Sequence, residues 1–353
     1  MNENTIPVRA DLRSRSLDFL RYPLAMAVLV VHLCNEHSEA MQYVPLLRRA
    51  TSSFIGGQSV PIYFFIAGYV FFLNTDLGKK EYRRKLRNRF HSLLVPYLSW
   101  NLLAYAVATL ACGDGAAGAG SFFAGLGKAL AGSTGGEVSY PADIPMWFVR
   151  ALIVMAIISP LIKWLLSRAG VWWVVLAGIV WANPYTRYIS SWQLASATFF
   201  FSWGAWMSLN RRDMMAEFRR MRTPSLVLYL TAATTCYVCY DSYSLVFAAS
   251  KIVAIVAGLP VAYNAAAGCV AKGLFAGLAR LAPAAFFVYC SHMILLRPAA
   301  DFMCRLLHPH DAATAVAFYA LTGFATATLS TCAFFAMRRH TPRLLAPLTG
   351  GRL

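Results

Sequence analysis

The chain has 353 residues, of which 58% are hydrophobic and only 13% are charged, and its mean hydropathy is +0.53. About a quarter of the residues of a soluble domain are charged, so this composition excludes an ordinary soluble protein. The formal net charge of +17 does not require a nucleic-acid partner, because membrane proteins concentrate Lys and Arg in their cytoplasmic loops.

Ten apolar segments of roughly membrane-spanning length follow one another along the chain. A helix needs about 20 mainly apolar residues to cross a bilayer, so we predict an all-α, polytopic integral membrane protein with about ten transmembrane helices. We expect residues 1–353 to form one membrane-embedded domain, with no appended soluble domain. Pro160, Pro260 and Pro283 lie at or near segment ends, where proline costs little. The segments comprise residues 17–35, 57–74, 91–112, 145–163, 171–183, 192–209, 225–240, 245–263, 281–297 and 313–337.

Lys and Arg are distributed unevenly between the two sides of these segments. With the N-terminus inside, about three quarters of them fall in the head, the tail and the loops of the same side, as the positive-inside rule requires. The pattern predicts that both termini are cytoplasmic and that the number of spans is even. The same asymmetry explains the basic charge without nucleic acid.

The first apolar segment carries Arg21 near its start and His32 near its end. Ionisable side chains are costly at membrane depth and are retained there mainly for function. The two residues are close to three helical turns apart, so they share a face about 16 Å apart along the axis. His32 suits a general base, and Glu36, one turn further on, suits the group that orients it. A histidine that only packs between helices, with Glu36 solvated, is the alternative.

The loop at residues 75–90 holds seven cations between Lys79 and Arg89. If this stretch is helical, Arg84 and Arg87 share a face and suit the phosphates of a nucleotide-like donor, since Arg binds phosphate bidentately. A topology signal that also binds lipid headgroups explains the same cluster.

Two further positions are candidates for the site. Trp147 enters the fourth segment, where it is either an interfacial aromatic or a platform for a sugar ring. Tyr289 and His292 lie in the ninth segment, where core packing is the alternative to function. His308 and His310 are only a weak candidate for a metal pair, because no carboxylate cluster accompanies them, so we expect no metal site.

Taken together, these motifs resemble the integral-membrane acyltransferase family 3, which O-acylates surface polysaccharides. The resemblance covers nearly the whole chain. It rests on Leu17-Asp18-Phe19-Leu20-Arg21 running to His32, on Val60 to Tyr69, on Arg84-Lys85-Leu86-Arg87, on Leu94 to Trp100, on Met146-Trp147-Phe148, on Tyr289 to His292 and on Leu348 to Arg352. The sequence departs from the family pattern at Ala67, where the family usually has Ser, and at Cys290 and Ser291, where it has an aliphatic pair.

This resemblance implies an enzyme of the bacterial cytoplasmic (inner) membrane. It would move an acyl group from cytoplasmic acyl-CoA to a hydroxyl of an extracytoplasmic glycan. We expect the acyl group to be acetyl, and succinyl is the alternative. No cofactor stays bound, acyl-CoA is a co-substrate, the lipid bilayer and a carbohydrate acceptor are the partners, and the oligomeric state is open. The resemblance implies catalysis by His32 and donor binding by Arg21, Arg84 and Arg87. From the residues themselves we expect Glu36 to assist His32 and an acceptor pocket at Trp147, Tyr289 and His292.

Two other functions remain open from the residues alone. A transporter or flippase of a glycan or lipid-linked precursor also carries intramembrane His and Arg, although the inverted repeats typical of transporters are not evident. A polyprenyl-linked sugar transferase needs acidic motifs for a metal-bound diphosphate, and the inside loops lack them. Acyl transfer is therefore the preferred prediction.

Overall fold

The computed structural model describes residues 5–35, 38–75, 77–112, 141–183, 192–242 and 244–352. Within these ranges the regular structure is helical and no strand occurs, which confirms the all-α prediction. The reason is physical: in lipid each backbone polar group must be satisfied internally, and a helix does this within one segment.

Seventeen α-helices are assigned within these ranges, in an order that follows the apolar segments of the sequence. Short π-helical turns at Thr51–Ile55 and Phe90–Leu94 precede two of the apolar helices, and 3₁₀ turns occur at Ile144–Met146, Tyr240–Ser242 and Ala282–Ala284. The α-helices are α1 Thr5–Leu33, α2 Ser38–Met41, α3 Pro45–Ala50, α4 Ser59–Phe72, α5 Lys79–Arg89, α6 Val95–Cys112, α7 Trp147–Ile157, α8 Ser159–Ala169, α9 Val171–Ala182, α10 Trp192–Leu209, α11 Met214–Arg220, α12 Arg222–Val238, α13 Leu245–Ala271, α14 Ala276–Leu281, α15 Ala285–Leu307, α16 Ala312–His340 and α17 Pro342–Thr349.

Each of the ten apolar segments is occupied by helix, and the chain is a multi-pass membrane protein. In the described part, six helical stretches are long and apolar enough to cross a membrane, or seven if the bent pair Ile144–Ile157 and Ser159–Ala169 forms one span. The number ten and the orientation of the termini therefore stay predictions. The six stretches are Leu12–Leu33, Pro45–Phe72, Lys79–Leu110, Leu245–Ala271, Ala276–Leu307 and Ala312–His340.

Two of the apolar segments differ from the prediction at or near a proline. The fourth segment is not one straight helix: the chain bends by 64° after Ile157, and Pro160 lies in the first turn of α8, where a missing N–H costs nothing. The expectation for Pro260 was wrong, because α13 continues to Ala271 and leaves Pro260 inside the helix. Membrane helices tolerate interior proline when neighbouring groups and local adjustments compensate for the lost hydrogen bond.

The chain divides into two compact units, each drawn from three stretches: Met1–Tyr63, Arg211–Tyr289 and Leu296–Thr331 in the first, and Phe64–Asn210, Cys290–Leu295 and Cys332–Leu353 in the second. In the first unit, α12 packs along α13 through the small residues Ala232, Ala233 and Ala254. The Tyr22 and Thr331 hydroxyls are hydrogen-bonded at 2.8 Å and join α1 to α16. Small residues allow helix backbones to approach closely in a membrane.

In the second unit, α4 and α10 cross at two glycines. A Cβ atom on Gly68 would lie 2.0 Å from the Phe201 carbonyl oxygen, and one on Gly204 would lie 2.1 Å from the Phe65 carbonyl oxygen. No side chain fits between these backbones. Gly68, part of the motif that ends at Tyr69, therefore has a packing role.

The C-terminal motif has a structural role in the second unit. The Trp100 indole N–H donates to the Leu348 carbonyl at 2.9 Å. Gly350 has a φ of +65°, and a Cβ there would lie 2.6 Å from the Cα of Ser92. Glycine is required at this position because it adopts positive φ at no steric cost.

Candidate active site

Arg21 lies on the exposed side of α1 in the first unit. Its guanidinium is paired with the Asp18 carboxylate at 3.1 Å, one helical turn earlier. Its backbone carbonyl accepts a hydrogen bond from the Tyr63 hydroxyl at 2.5 Å, which fixes the start of α4 against this turn of α1. The guanidinium is therefore positioned and remains accessible to an anion.

His32 lies in the last turn of α1 and is half-buried. The guanidinium of Arg297 on α15 acts electrostatically on its imidazole, and both residues belong to the first unit. An imidazole can exchange a proton, and a guanidinium can stabilise an oxyanion.

Arg297 was missed in the sequence analysis, although a signal was present. The residue closes the ninth apolar segment, where an ionisable side chain is costly and indicates function. Its electrostatic effect on His32 joins two stretches that are far apart along the chain, which sequence spacing alone does not reveal.

Glu36, the predicted orienting group, lies outside the described residues. The orienting role of Glu36 therefore stays a prediction.

The cationic loop forms helix α5 in the second unit, and its cations divide between two faces. Lys85 and Arg89 turn toward the end of α4: the Lys85 ammonium donates to the Phe71 carbonyl and lies 5.1 Å from the Phe71 ring, and the Arg89 guanidinium lies 5.9 Å from the same ring. Cations are stabilised at a helix C-terminus and over an aromatic face. These two residues thus hold α5 in place.

Arg84 and Arg87 lie on the exposed part of α5, three residues apart, as predicted. The Arg84 side chain is 71% exposed and is paired with Glu81 at 3.1 Å, whereas Arg87 is exposed and has no ion pair with a described residue. The Tyr82 hydroxyl donates to the Ile157 carbonyl at 2.9 Å, where the chain bends between α7 and α8. Together these contacts present two guanidinium groups on a fixed helix.

Trp147 begins α7 in the second unit and is buried, with 9% of its surface exposed. Its ring centre lies 6.2 Å from that of Phe64, which also packs against Phe148 at 4.8 Å. One turn later, Arg150 donates to the Gln193 side-chain oxygen at 3.3 Å. A sugar ring that contacts Trp147 must therefore enter the interior of this unit.

A buried carboxyl group precedes Trp147. Asp143 is 2% exposed, and neither of its side-chain oxygens has a hydrogen-bond partner among the described residues. Its backbone N–H donates to the Asn101 side-chain oxygen at 3.1 Å, and the Asn101 amide donates in turn to the Tyr97 carbonyl at 2.7 Å. Burial raises the pKa of Asp143 well above its usual value, because desolvation penalises the carboxylate.

Cys290 lies near this carboxyl group in the second unit. The side chains of Asp143 and Arg352 both act electrostatically on its thiol. Tyr289 and His292 of the same motif are buried residues of α15. Sequence reasoning did not single out Asp143, because an acidic residue at a loop end is ordinarily solvated.

Comparison with known proteins gives one family. A family model described as an acyltransferase domain, the acyltransferase 3 model, matches residues 14–335. The match includes Arg21, His32, the paired arginines of α5, Trp147 and the Tyr289–His292 motif. No curated protein and no solved structure matches the chain.

Proposed function

The chain belongs to the acyltransferase 3 family, and from this premise we propose that it transfers an acetyl group from acetyl-CoA to a hydroxyl of an extracytoplasmic glycan, with His32 as the catalytic residue. The observation that carries the proposal is the His32 imidazole. It is held half-buried in an apolar span and is acted on by the charge of Arg297.

The proposed reaction uses these two side chains directly. The acceptor hydroxyl attacks the thioester carbonyl carbon while His32 removes the hydroxyl proton, so a C–O bond forms and the carbonyl oxygen becomes an oxyanion. The Arg297 guanidinium stabilises that oxyanion. The C–S bond then breaks, the electron pair leaves with the CoA sulfur, and the imidazolium returns its proton to the thiolate. Glu36 is proposed to orient the imidazole.

A covalent route uses the same residue. In that route the imidazole nitrogen attacks the thioester, CoA leaves, and the acyl-imidazole then reacts with the acceptor hydroxyl. The two routes differ in one observable: only the covalent route leaves labelled acetyl on the protein when acetyl-CoA is supplied without acceptor.

Donor binding is assigned to Arg21, Arg84 and Arg87. A guanidinium group can donate two parallel hydrogen bonds to the oxygens of one phosphate. CoA carries its phosphates at the end remote from the thioester. Lys85 and Arg89 hold the helix that presents Arg84 and Arg87. These contacts are made at the nucleotide end, remote from the thioester, so they hold the donor equally in the ground state and in the transition state.

Acceptor binding is assigned to the buried residues Trp147, Tyr289 and His292. The aromatic rings suit the apolar face of a sugar, and the imidazole suits one of its hydroxyls. The proposal also places both termini in the cytoplasm, as the distribution of Lys and Arg indicates, and the enzyme in the inner membrane of a bacterium, as the family resemblance implies. Reporter fusions at each terminus test this orientation.

Chemical analysis of surface glycans tests the function. A strain that lacks the gene should lose O-acetyl groups from one glycan, and the wild-type gene should restore them, while the amount of that glycan stays constant. A smaller amount of the glycan at the surface, with the remaining glycan acetylated as in the wild type, would instead indicate a transporter. Unchanged acetylation of every surface glycan would contradict the proposal.

A further inference from the structure

The first unit contains an apolar groove between α1 and α16, with a volume of about 400 Å³. We call it the α1–α16 groove. It is lined mainly by Met26, Val30 and Leu33 of α1 and by Tyr319, Ala320 and Gly323 of α16. At the floor, a Cβ atom on Gly323 would lie 2.9 Å from the Leu33 side chain. The missing side chain therefore brings the two helices together below an open channel.

The groove faces the hydrocarbon of the bilayer. Both of its walls belong to stretches long and apolar enough to span a membrane. Val316 and Phe324, at the two ends of the α16 wall, are 54% and 71% exposed. An apolar surface at this depth is covered by lipid chains rather than by water.

The length of the groove matches one hydrocarbon chain in one leaflet. Its α1 wall runs from Met26 to Cys34, which is about 12 Å at the helical rise. The hydrocarbon core of a bilayer is about 30 Å thick, so one leaflet contributes about 15 Å. A single lipid chain thus fills the groove from end to end.

One end of the groove carries a positive charge. Leu47 of α3 also lines the groove, so the next residue, Arg48, lies beside it. Arg48 also acts electrostatically on Cys34 and Tyr319, which line that end. The neighbouring Arg49 is paired with Asp241, whereas Arg48 is exposed and has no acidic partner in the part of the chain that the structure describes. A cation beyond the end of an apolar channel complements an amphiphile with an anionic head.

We propose that the α1–α16 groove binds one hydrocarbon chain of an anionic bilayer phospholipid, with the headgroup phosphate at Arg48. The chain length, the apolar lining and the single charge all fit this ligand. The proposal does not depend on the acyl-transfer reaction. It assigns a lipid site to a different face of α1 from the Arg21–His32 face, because Met26, Val30 and Leu33 are rotated from His32 by roughly 100–160° around the helix axis.

Lipid binding is measured by native mass spectrometry of the purified full chain, released from nanodiscs of equal phosphatidylglycerol and phosphatidylcholine content. The wild type should retain one phosphatidylglycerol molecule. Ala320→Phe, which fills the groove from an exposed position, should lose it. Leu329→Phe, at an exposed apolar position of the same helix outside the groove, should keep it.

The charge is tested separately. Arg48→Gln should still retain a lipid chain but lower the preference for phosphatidylglycerol over phosphatidylcholine about fivefold, as expected for one cation near an anionic headgroup. Arg219→Gln, an exposed cation elsewhere in the unit, should leave the preference unchanged. Equal occupancy in the wild type and Ala320→Phe, or no preference in the wild type, would overturn the proposal. Recovery of a polyprenyl phosphate from the groove would overturn its assignment to a phospholipid.

Discussion

The Lys85 ammonium donates a hydrogen bond to the Phe71 carbonyl and lies 5.1 Å from the centre of the Phe71 ring. One side chain therefore satisfies a carbonyl in the last turn of α4 and makes a cation–π contact with the same residue. Through it, the cationic helix α5 is attached to an apolar span. At least one of the cations that the positive-inside rule predicts therefore also stabilises the packing of two helices.

Replacement of Lys85 by Met should lower the free energy of unfolding by about 1–3 kcal/mol, because both the charged hydrogen bond and the cation–π contact are lost. Arg83→Met removes one charge from the exposed part of the same helix and should have little effect. Thermal unfolding of the two purified variants measures the difference. Equal melting temperatures would show that the contact does not stabilise the fold.

Replacement of both Arg84 and Arg87 by Ala should raise the KM for acyl-CoA by about tenfold, since two solvent-exposed guanidinium–phosphate contacts contribute about 0.7 kcal/mol each. The kcat should change much less, because the contact is equally present before and during the chemical step. Arg83→Ala is the matched control on the same helix. An unchanged KM in the double variant would show that these arginines do not bind the donor and serve only to orient the protein in the membrane.

The residues of α5 also show what could be predicted from the sequence. Apolar segments predicted where helices form, and the spacing of Arg84 and Arg87 predicted their common exposure, because both depend on local periodicity. The contacts of Lys85 and Arg89 with the end of α4 were not predictable, since they depend on how two helices pack and not on the local sequence. The same holds for Arg297 beside His32 and for Asp143 beside Cys290: each pairing joins distant stretches of chain.

Substitution of Gly68 by Ala tests the helix crossing. The new methyl group would lie 2.0 Å from the Phe201 carbonyl oxygen, so α4 and α10 must separate, which costs about 1–3 kcal/mol. Gly78 has open space around its missing side chain and an ordinary negative φ. The melting temperature of Gly78→Ala should therefore stay near that of the wild type, whereas Gly68→Ala should melt earlier. Equal melting of both variants would contradict the crossing.

The buried Asp143 makes stability depend on pH. Its pKa is raised by burial in the native state and is about 4 in the unfolded chain. Above pH 4 the unfolded state therefore releases a proton that the native state keeps, and stability falls as the pH rises toward the native pKa. Asp143→Asn, an uncharged side chain of the same shape, should remove this part of the slope. Melting temperatures from pH 4 to 8 that run parallel in both proteins would contradict this role.

The most direct measurement is acetyl transfer by His32→Ala in nanodiscs, with labelled acetyl-CoA, the glycan that loses acetylation in the deletion strain, and His340→Ala as the control at an exposed helix end. The account predicts that His32→Ala loses at least about 100-fold in kcat/KM, the lower end of the contribution of general-base catalysis, while it keeps the wild-type melting temperature and binds acetyl-CoA. His340→Ala should transfer at the wild-type rate. Transfer by His32→Ala at the wild-type rate would contradict the account.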